Sequence, residues 1–358
     1  MLQRLLAILL LLVAGLVCTP SPRAADLIKV PTAWMPELDA FPIWYAKQQG
    51  WDKLAGLDIQ IYAFESGADA LRAFPAKGWV FGGIGAVPAM IGCVRYNMSI
   101  IGFANDEAAG NAIMVRKDSP ILKHKGENPV FPEVYGNAET VRGKSVLCTR
   151  ISSADYTLKL WLKSVGLENK DINFKNMGQA QALAAFDYNI GDVVVLWAPF
   201  TYVGENHGWK TVATTQLLGD HLPIALVANS AYAAQYPNIT ASFLSLYTRG
   251  IKWLQTAPAE QVIKEVKRFY LEWAGVDYSL NMLQLHPGIK AFFDLDTQKH
   301  LFAVNKDKCI AKDWMNKLAD FYHEAGSISD TEHFWLKTRP YLTGKYLDRV
   351  SEDKTLPK

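Results

Sequence analysis

The chain has 358 residues, half of them hydrophobic and a fifth charged, with a formal net charge of +2. That length suits two domains, and the balance suits a globular chain rather than a disordered one. No basic block or positive excess offers nucleic acid an electrostatic footprint, so no nucleic-acid partner is expected.

Arg4 precedes an unbroken apolar run over residues 5–17, followed by Cys18, the turn residues Thr19-Pro20-Ser21-Pro22 and the small pair Ala24-Ala25. A short basic region, an apolar stretch too short to span a bilayer comfortably and small residues at its end read as a secretory signal peptide over residues 1–25. A retained anchor and a lipoprotein attached through Cys18 are the other readings. Val17 fits the second poorly, because a small residue belongs just before a lipidated cysteine. The mature chain keeps Cys93, Cys148 and Cys309. In an oxidising compartment one pair can form a disulfide, leaving at least one thiol unpaired in a monomer, and the spacing is not that of a metal site.

Strand-like runs at residues 27–30, 58–64, 79–84, 100–104 and 112–116 alternate with helical ones at 41–49, 69–77 and 87–96. Residues 117–137, rich in Pro, Gly, Lys and Asn, read as a linker or surface excursion. The alternation then restarts, with strands at 145–148, 172–175, 192–196 and 223–228 and helices at 154–165 and 179–187. From residue 236 the chain reads as helical, with amphipathic runs at 260–273 and 312–325. A βαβα pattern argues for mainly parallel sheets covered by helices. Two such halves and a helical tail predict a bilobal α/β protein, lobe 1 from residues 26–116 and 223–358 and lobe 2 from 117–222. The chain is expected to cross between lobes near Val115-Arg116 and Pro223-Ile224, making a hinge beside a ligand cleft.

No GxSxG elbow, HExxH, phosphate-binding loop or CxxC occurs, so no catalytic residue, metal ligand or cofactor is expected. Gly82-Gly83-Ile84-Gly85 lacks the full dinucleotide fingerprint, and the seven histidines are scattered. Loops at the carboxyl ends of strands carry more information, because ligands of open α/β sheets bind there against helix N-termini. Glu65-Ser66-Gly67, Gly83-Ile84-Gly85-Ala86, Thr149-Arg150-Ile151-Ser152-Ser153 and Met177-Gly178-Gln179 are such junctions. Small residues let backbone donors approach a ligand, which makes Ser66, Gly67, Gly85, Ala86, Ser152 and Ser153 candidate contacts. Each also suits a helix cap or tight turn.

The stretches Ala63-Phe64-Glu65-Ser66-Gly67-Ala68-Asp69, Gly82-Gly83-Ile84-Gly85-Ala86-Val87-Pro88, Ala112-Ile113-Met114-Val115-Arg116 and Val195-Leu196-Trp197-Ala198-Pro199-Phe200 resemble the periplasmic solute-binding proteins of taurine, aliphatic-sulfonate and nitrate ABC importers. The resemblance covers nearly the whole mature chain. It implies an α/β bilobal periplasmic-binding-protein fold of type II, with two mixed or parallel sheets flanked by helices and a two-stranded hinge. It also implies a monomeric periplasmic protein, not an enzyme, that closes on a small-molecule ligand and delivers it to an ABC transporter permease. Three features depart from the family. Residues 123–137 are longer than the usual connection, Trp197-Ala198-Pro199 stands where many relatives have Trp-Asp-Pro, and the first loop at residues 34–41 is rich in acids and aromatics.

Those acids bear on the ligand. Glu37 and Asp39 lie in the first loop, Asp106-Glu107 in another, and Asp155 just inside a helix. A carboxylate desolvated in a cleft needs a partner. An ammonium opposite Glu37 or Asp155, with an acid group at the helix starts, describes a zwitterion such as an amino acid or taurine; a simple anion is the other reading. Helix caps in the first turn are the plainer role for these acids. Trp34, Trp197, Phe200 and Tyr202, with Pro199 in the same turn, instead suit a quaternary ammonium or an aromatic solute, or the lobe cores. A sensory binding protein and an enzyme on the same scaffold are the remaining functional alternatives.

Overall fold

The computed structural model describes residues 27–284, 291–305 and 308–350; the segment read as a signal peptide lies outside them. In chain order the strands are β1 (Ile28–Trp34), β2 (Leu57–Ala63), β3 (Phe81–Gly85), β4 (Met98–Asp106), β5 (Ala112–Val115), β6 (Ser145–Cys148), β7 (Asn173–Asn176), β8 (Val193–Leu196), β9 (Lys210–Thr214) and β10 (Pro223–Asn229). They form two five-stranded sheets, ordered β2-β1-β3-β10-β4 and β7-β6-β8-β5-β9. Each sheet is mixed. β1 runs parallel to β2 and β3 while β10 is antiparallel to β3 and β4, and β6 runs parallel to β7 and β8 while β5 is antiparallel to β8 and β9. Strands covered on both faces read as continuous apolar runs, as in the fully buried Val193–Leu196.

Ala112–Val115, expected as the last strand of lobe 1, lies in the second sheet. The chain therefore crosses at residues 107–111 rather than near Val115-Arg116, and returns through residues 215–222. A four-residue apolar strand carries no mark of which sheet it joins, and only its pairing settles that. The two crossings bond side by side: the Glu107 N–H donates to the Leu222 carbonyl at 2.9 Å, and the Leu222 N–H donates to Asp106 Oδ1 at 2.9 Å. This is a two-stranded hinge. The stretch read as a linker or surface excursion at residues 117–137 packs into the second lobe, where Ile121 and Val134 are buried in the core and the Trp161 indole N–H donates to the Tyr135 carbonyl.

Gly83 lets the first lobe pack closely. A Cβ there would lie 2.4 Å from the Trp34 ring, so Trp34 occupies the space a side chain would need. Trp34 is fully buried, stacks on Tyr247 at 5.4 Å and donates its indole N–H to Thr32 Oγ1. It is lobe core, each such buried aromatic contributing about 2–3 kcal/mol. The tail helices pack on this lobe, helix Pro237–Thr256 against helix Phe41–Gln48. They also reach the other one: Tyr322 and Glu324 of helix Ile310–Glu324 contact Asp155 and Lys163 of helix Ser153–Ser164. Cys93, Cys148 and Cys309 are all free thiols.

Candidate ligand-binding cleft

Loops leaving the carboxyl ends of β1, β2, β3, β6 and β8 meet between the sheets. Met35, Glu37, Gly67, Gly85, Ser152, Ser153 and Trp197 line one narrow crevice with Glu107 of the first hinge linker. Its free volume is about 20 Å³, room for about one water. A chamber of about 590 Å³ adjoins it on the hinge side and shares Glu37, Glu107 and Ile224 in its walls. Asp39, Asn105, Asp106, Tyr202, Gln216, Asp220 and His221 complete the polar part of the chamber. That volume lies in the range of small-molecule sites.

The walls are acidic, and three of the acids have no cationic partner among the described residues. Asp106 pairs with His221 and Asp220 with Lys317. Glu37, Asp39 and Glu107 pair with no lysine, arginine or histidine among the described residues, and Asp39 Oδ2 is buried without a hydrogen-bond partner. Burial pushes the Asp39 carboxyl up to about 8, with the Glu107 charge adding to the effect. Burial likewise raises Glu107 to about 7, opposed by the Ser153 hydroxyl and Asn111. Glu37 is driven well above the usual carboxylate range by burial and then by Asp39 and Glu107, with the Trp197 indole opposing. Three desolvated carboxyls this close cannot all stay charged without a cation. Among the described residues, no group of His, Cys, Asp and Glu could hold a metal ion.

Local structure explains how these groups are held. The Tyr247 hydroxyl donates to the Asp39 carbonyl at 2.6 Å and fixes the first loop. In the second lobe one buried amide ties three strand-end loops together. Gln179 Nε2 donates to Thr149 Oγ1 at 3.0 Å and to the Val195 carbonyl at 3.3 Å, and Gln179 Oε1 accepts from the Trp197 N–H at 2.9 Å. Trp197 thereby faces the crevice with its buried indole N–H toward the Glu37 carboxyl, while the buried Tyr270 hydroxyl, within electrostatic reach of Glu37 and Asp39, has no hydrogen-bond partner.

Most of the remaining predicted contacts fall elsewhere, and Ser152 reaches the crevice while serving as a cap. Ser66 and Ser152 use their hydroxyls as N-caps, accepting from the Asp69 and Asp155 N–H groups. Ala86 is buried at the start of helix Ala86–Tyr96, and Pro199, after a cis Ala198-Pro199 bond, precedes helix Phe200–Asn206. Trp34 is core, as above. Asp155 is turned away from the three acids: it pairs with Lys159 at 3.1 Å and accepts from the Tyr322 hydroxyl at 3.3 Å. It lies on a separate crevice of about 690 Å³ beside the tail helices. There Lys163 and Lys170 also pair with acids, Glu324 and Glu168. Glu107 and Gln179, named in the sequence only as members of strand-end loops, are among the contributors not picked out there as contacts.

The family model of the NMT1-like family matches residues 23–267. The chain belongs to the NMT1-like family. Its relatives include a putative ABC transporter periplasmic binding protein of Brachyspira hyodysenteriae, 28% identical over 209 residues. The match covers 58% of this chain and 60% of that relative's length. Among solved structures, the alkanesulfonate-binding protein SsuA of Xanthomonas axonopodis pv. citri, bound to MOPS, superposes with a TM-score of 0.67 at 14% identity, covering 89% of this chain and 99% of that one. The periplasmic nitrate-binding protein NrtA of Synechocystis superposes with a TM-score of 0.67 at 16% identity, covering 93% and 90%. At such identities the likeness shows the fold, so this NMT1-like chain has the bilobal periplasmic-binding-protein architecture. Its ligand has to be read from its own cleft.

Proposed function

We propose that this NMT1-like protein is a periplasmic solute-binding protein that captures a small solute carrying a protonated nitrogen and hands it to an ABC import permease. The observation that carries the ligand class is the convergence of Glu37, Asp39 and Glu107 on one chamber without a protein cation. A positive nitrogen placed among them restores the charge balance that burial requires. Import is supported by the relative named a putative ABC transporter periplasmic binding protein, and periplasmic location by that name and by the neighbour named a periplasmic nitrate-binding protein. A zwitterion satisfies this reading through its ammonium end; a free anion such as nitrate or an alkanesulfonate does not. Because Trp34 is locked in the first-lobe core and Phe200 packs against the second-lobe core, the aromatic cage of the sequence reading shrinks to Trp197 and Tyr202 near the acids. A thermal-shift screen over amines, amino acids, taurine, quaternary ammonium ions, nitrate and sulfonates tests it. A ligand at a hundred times its Kd raises stability by about 2.7 kcal/mol. Amines or zwitterions should shift the melt; a shift confined to anions refutes the proposal.

A further inference from the structure

Glu107 reaches from the hinge into the gap between two helix starts. Its Oε1 accepts a hydrogen bond from the Ser153 hydroxyl at the head of helix Ser153–Ser164. On the other side, Gly85 caps helix Ala86–Tyr96 with no side-chain bond, and a Cβ on Gly85 would lie 3.5 Å from Glu107 Oε1 and 2.6 Å from Ser153 Oγ. Two long helices, one from each lobe, thus aim their unpaired N–H groups and positive dipole ends at a space that a carboxyl group of the protein fills. The buried Trp197 indole N–H lines the same crevice, within reach of the Glu37 carboxyl. The glutamate is fixed there by its backbone. Its N–H donates to the Leu222 carbonyl, and its carbonyl accepts from the Asn111 N–H and side-chain amide.

We infer that Glu107 is a specificity-determining residue: it occupies the anion subsite between the helix starts at Gly85 and Ser152 and so bars free anions from the cleft. The inference rests on the reading of this cleft as the solute site. A free anion entering the crevice would meet both occupied space and the acid beside it, with Glu37 and Asp39 close behind. Truncation of Glu107 at Cβ removes as many heavy atoms as nitrate contains, and leaves the Ser153 hydroxyl and the two helix starts without their acceptor.

Titration calorimetry with nitrate, methanesulfonate and sulfate at constant ionic strength, on the wild type, E107A and E107S, tests the inference. E107S keeps a small polar group on Cβ while vacating the place of the carboxyl, in case the alanine variant does not fold. At pH 8, above the Glu107 value of about 7, the variants should bind at least one of these anions about a hundredfold more tightly than the wild type, because a like charge at contact distance has been removed. Folded variants that bind no anion more tightly than the wild type would overturn it. So would a wild type that already binds these anions as well as E107A does. An amine screen on the wild type separates the two readings. Amine binding without an anion gain in the variants sinks only the role of Glu107; an anion gain with no amine or zwitterion binder sinks only the cation proposal.

Discussion

The Tyr322 hydroxyl donates to the Asp155 carboxylate at 3.3 Å, joining a C-terminal helix of the first lobe to a ligand-lobe helix of the second. Lys159 completes the cluster, paired with Asp155 and lying over the Tyr322 ring at 4.5 Å. Asp155 is almost fully buried, so its removal strands Lys159. Asp155→Asn should destabilise the fold by about 2–4 kcal/mol, and Tyr322→Phe by about 1 kcal/mol. Neither should change the intrinsic ligand contacts, since both residues lie outside the acidic chamber. Chemical denaturation measures the first effect. A loss of affinity in D155N beyond about tenfold, with the lobes intact, would put Asp155 back in the site.

Glu37 and Asp39 are predicted to trade stability for binding. Each is a buried acid beside other acids, so Glu37→Gln and Asp39→Asn should leave the ligand-free protein as stable as the wild type or more so at pH 8. The same changes remove an ion-pair partner of the solute and should weaken its binding by about tenfold or more. Melting curves and calorimetry on one pair of variants read both effects. Reduced stability with unchanged affinity would mean that these carboxyls serve the fold.

The same acids give a pH signature. Their folded-state values lie above the unfolded ones, with Asp39 near 8 and Glu107 near 7. Between about pH 4 and pH 8 the folded state therefore holds more protons than the unfolded state, and stability falls as pH rises through that window. The groups facing them are the Asp106–His221 and Asp220–Lys317 pairs and the hydroxyls of Tyr202, Tyr247, Tyr270 and Tyr278. The ligand-free protein should lose on the order of a few kcal/mol across the window. D39N should flatten the curve, and a cationic solute should bind more tightly at pH 8 than at pH 6. A stability that rises with pH in this range would contradict the burial of unpaired carboxyls.

Gln179 should matter more than its neutral side chain suggests. Gln179→Leu leaves Thr149 Oγ1, the Val195 carbonyl and the Trp197 N–H without their partner. A cost of about 2–3 kcal/mol follows from the orphaned groups, together with weaker binding because Trp197 loses its support. Gln179→Glu, which keeps the acceptor for Trp197, should retain more affinity than the leucine variant when both are titrated with the same solute.

The sequence makes the two lobes visible because buried strands such as Val193–Leu196 are apolar runs bounded by turns and helices. β9 (Lys210–Thr214) escaped because it is an edge strand with an exposed start and mixed Lys-Thr-Val-Ala-Thr composition. The helical tail was legible as helix, but its grip on the second lobe depends on pairs such as Tyr322 with Asp155, far apart in sequence. Glu37 and Asp39 stood out as acids in a strand-end loop. Asp155 drew attention for the same reason at a helix start, where spacing cannot tell which way a side chain faces. Glu107 lay in a strand-end loop too, but its place depends on the hinge, and the position of the hinge depends on which sheet β5 joins. Gln179 carries no charge and no motif; only the loops it bridges reveal it.

The most direct measurement is the identity of the molecule that the protein retains when purified under native conditions, by organic extraction and mass spectrometry. The cleft predicts a small solute with a nitrogen that is protonated at neutral pH, lost on purification of the E37Q variant. Retention of an anion with no basic nitrogen, held equally by wild type and E37Q, would contradict the proposed role of the three carboxyls.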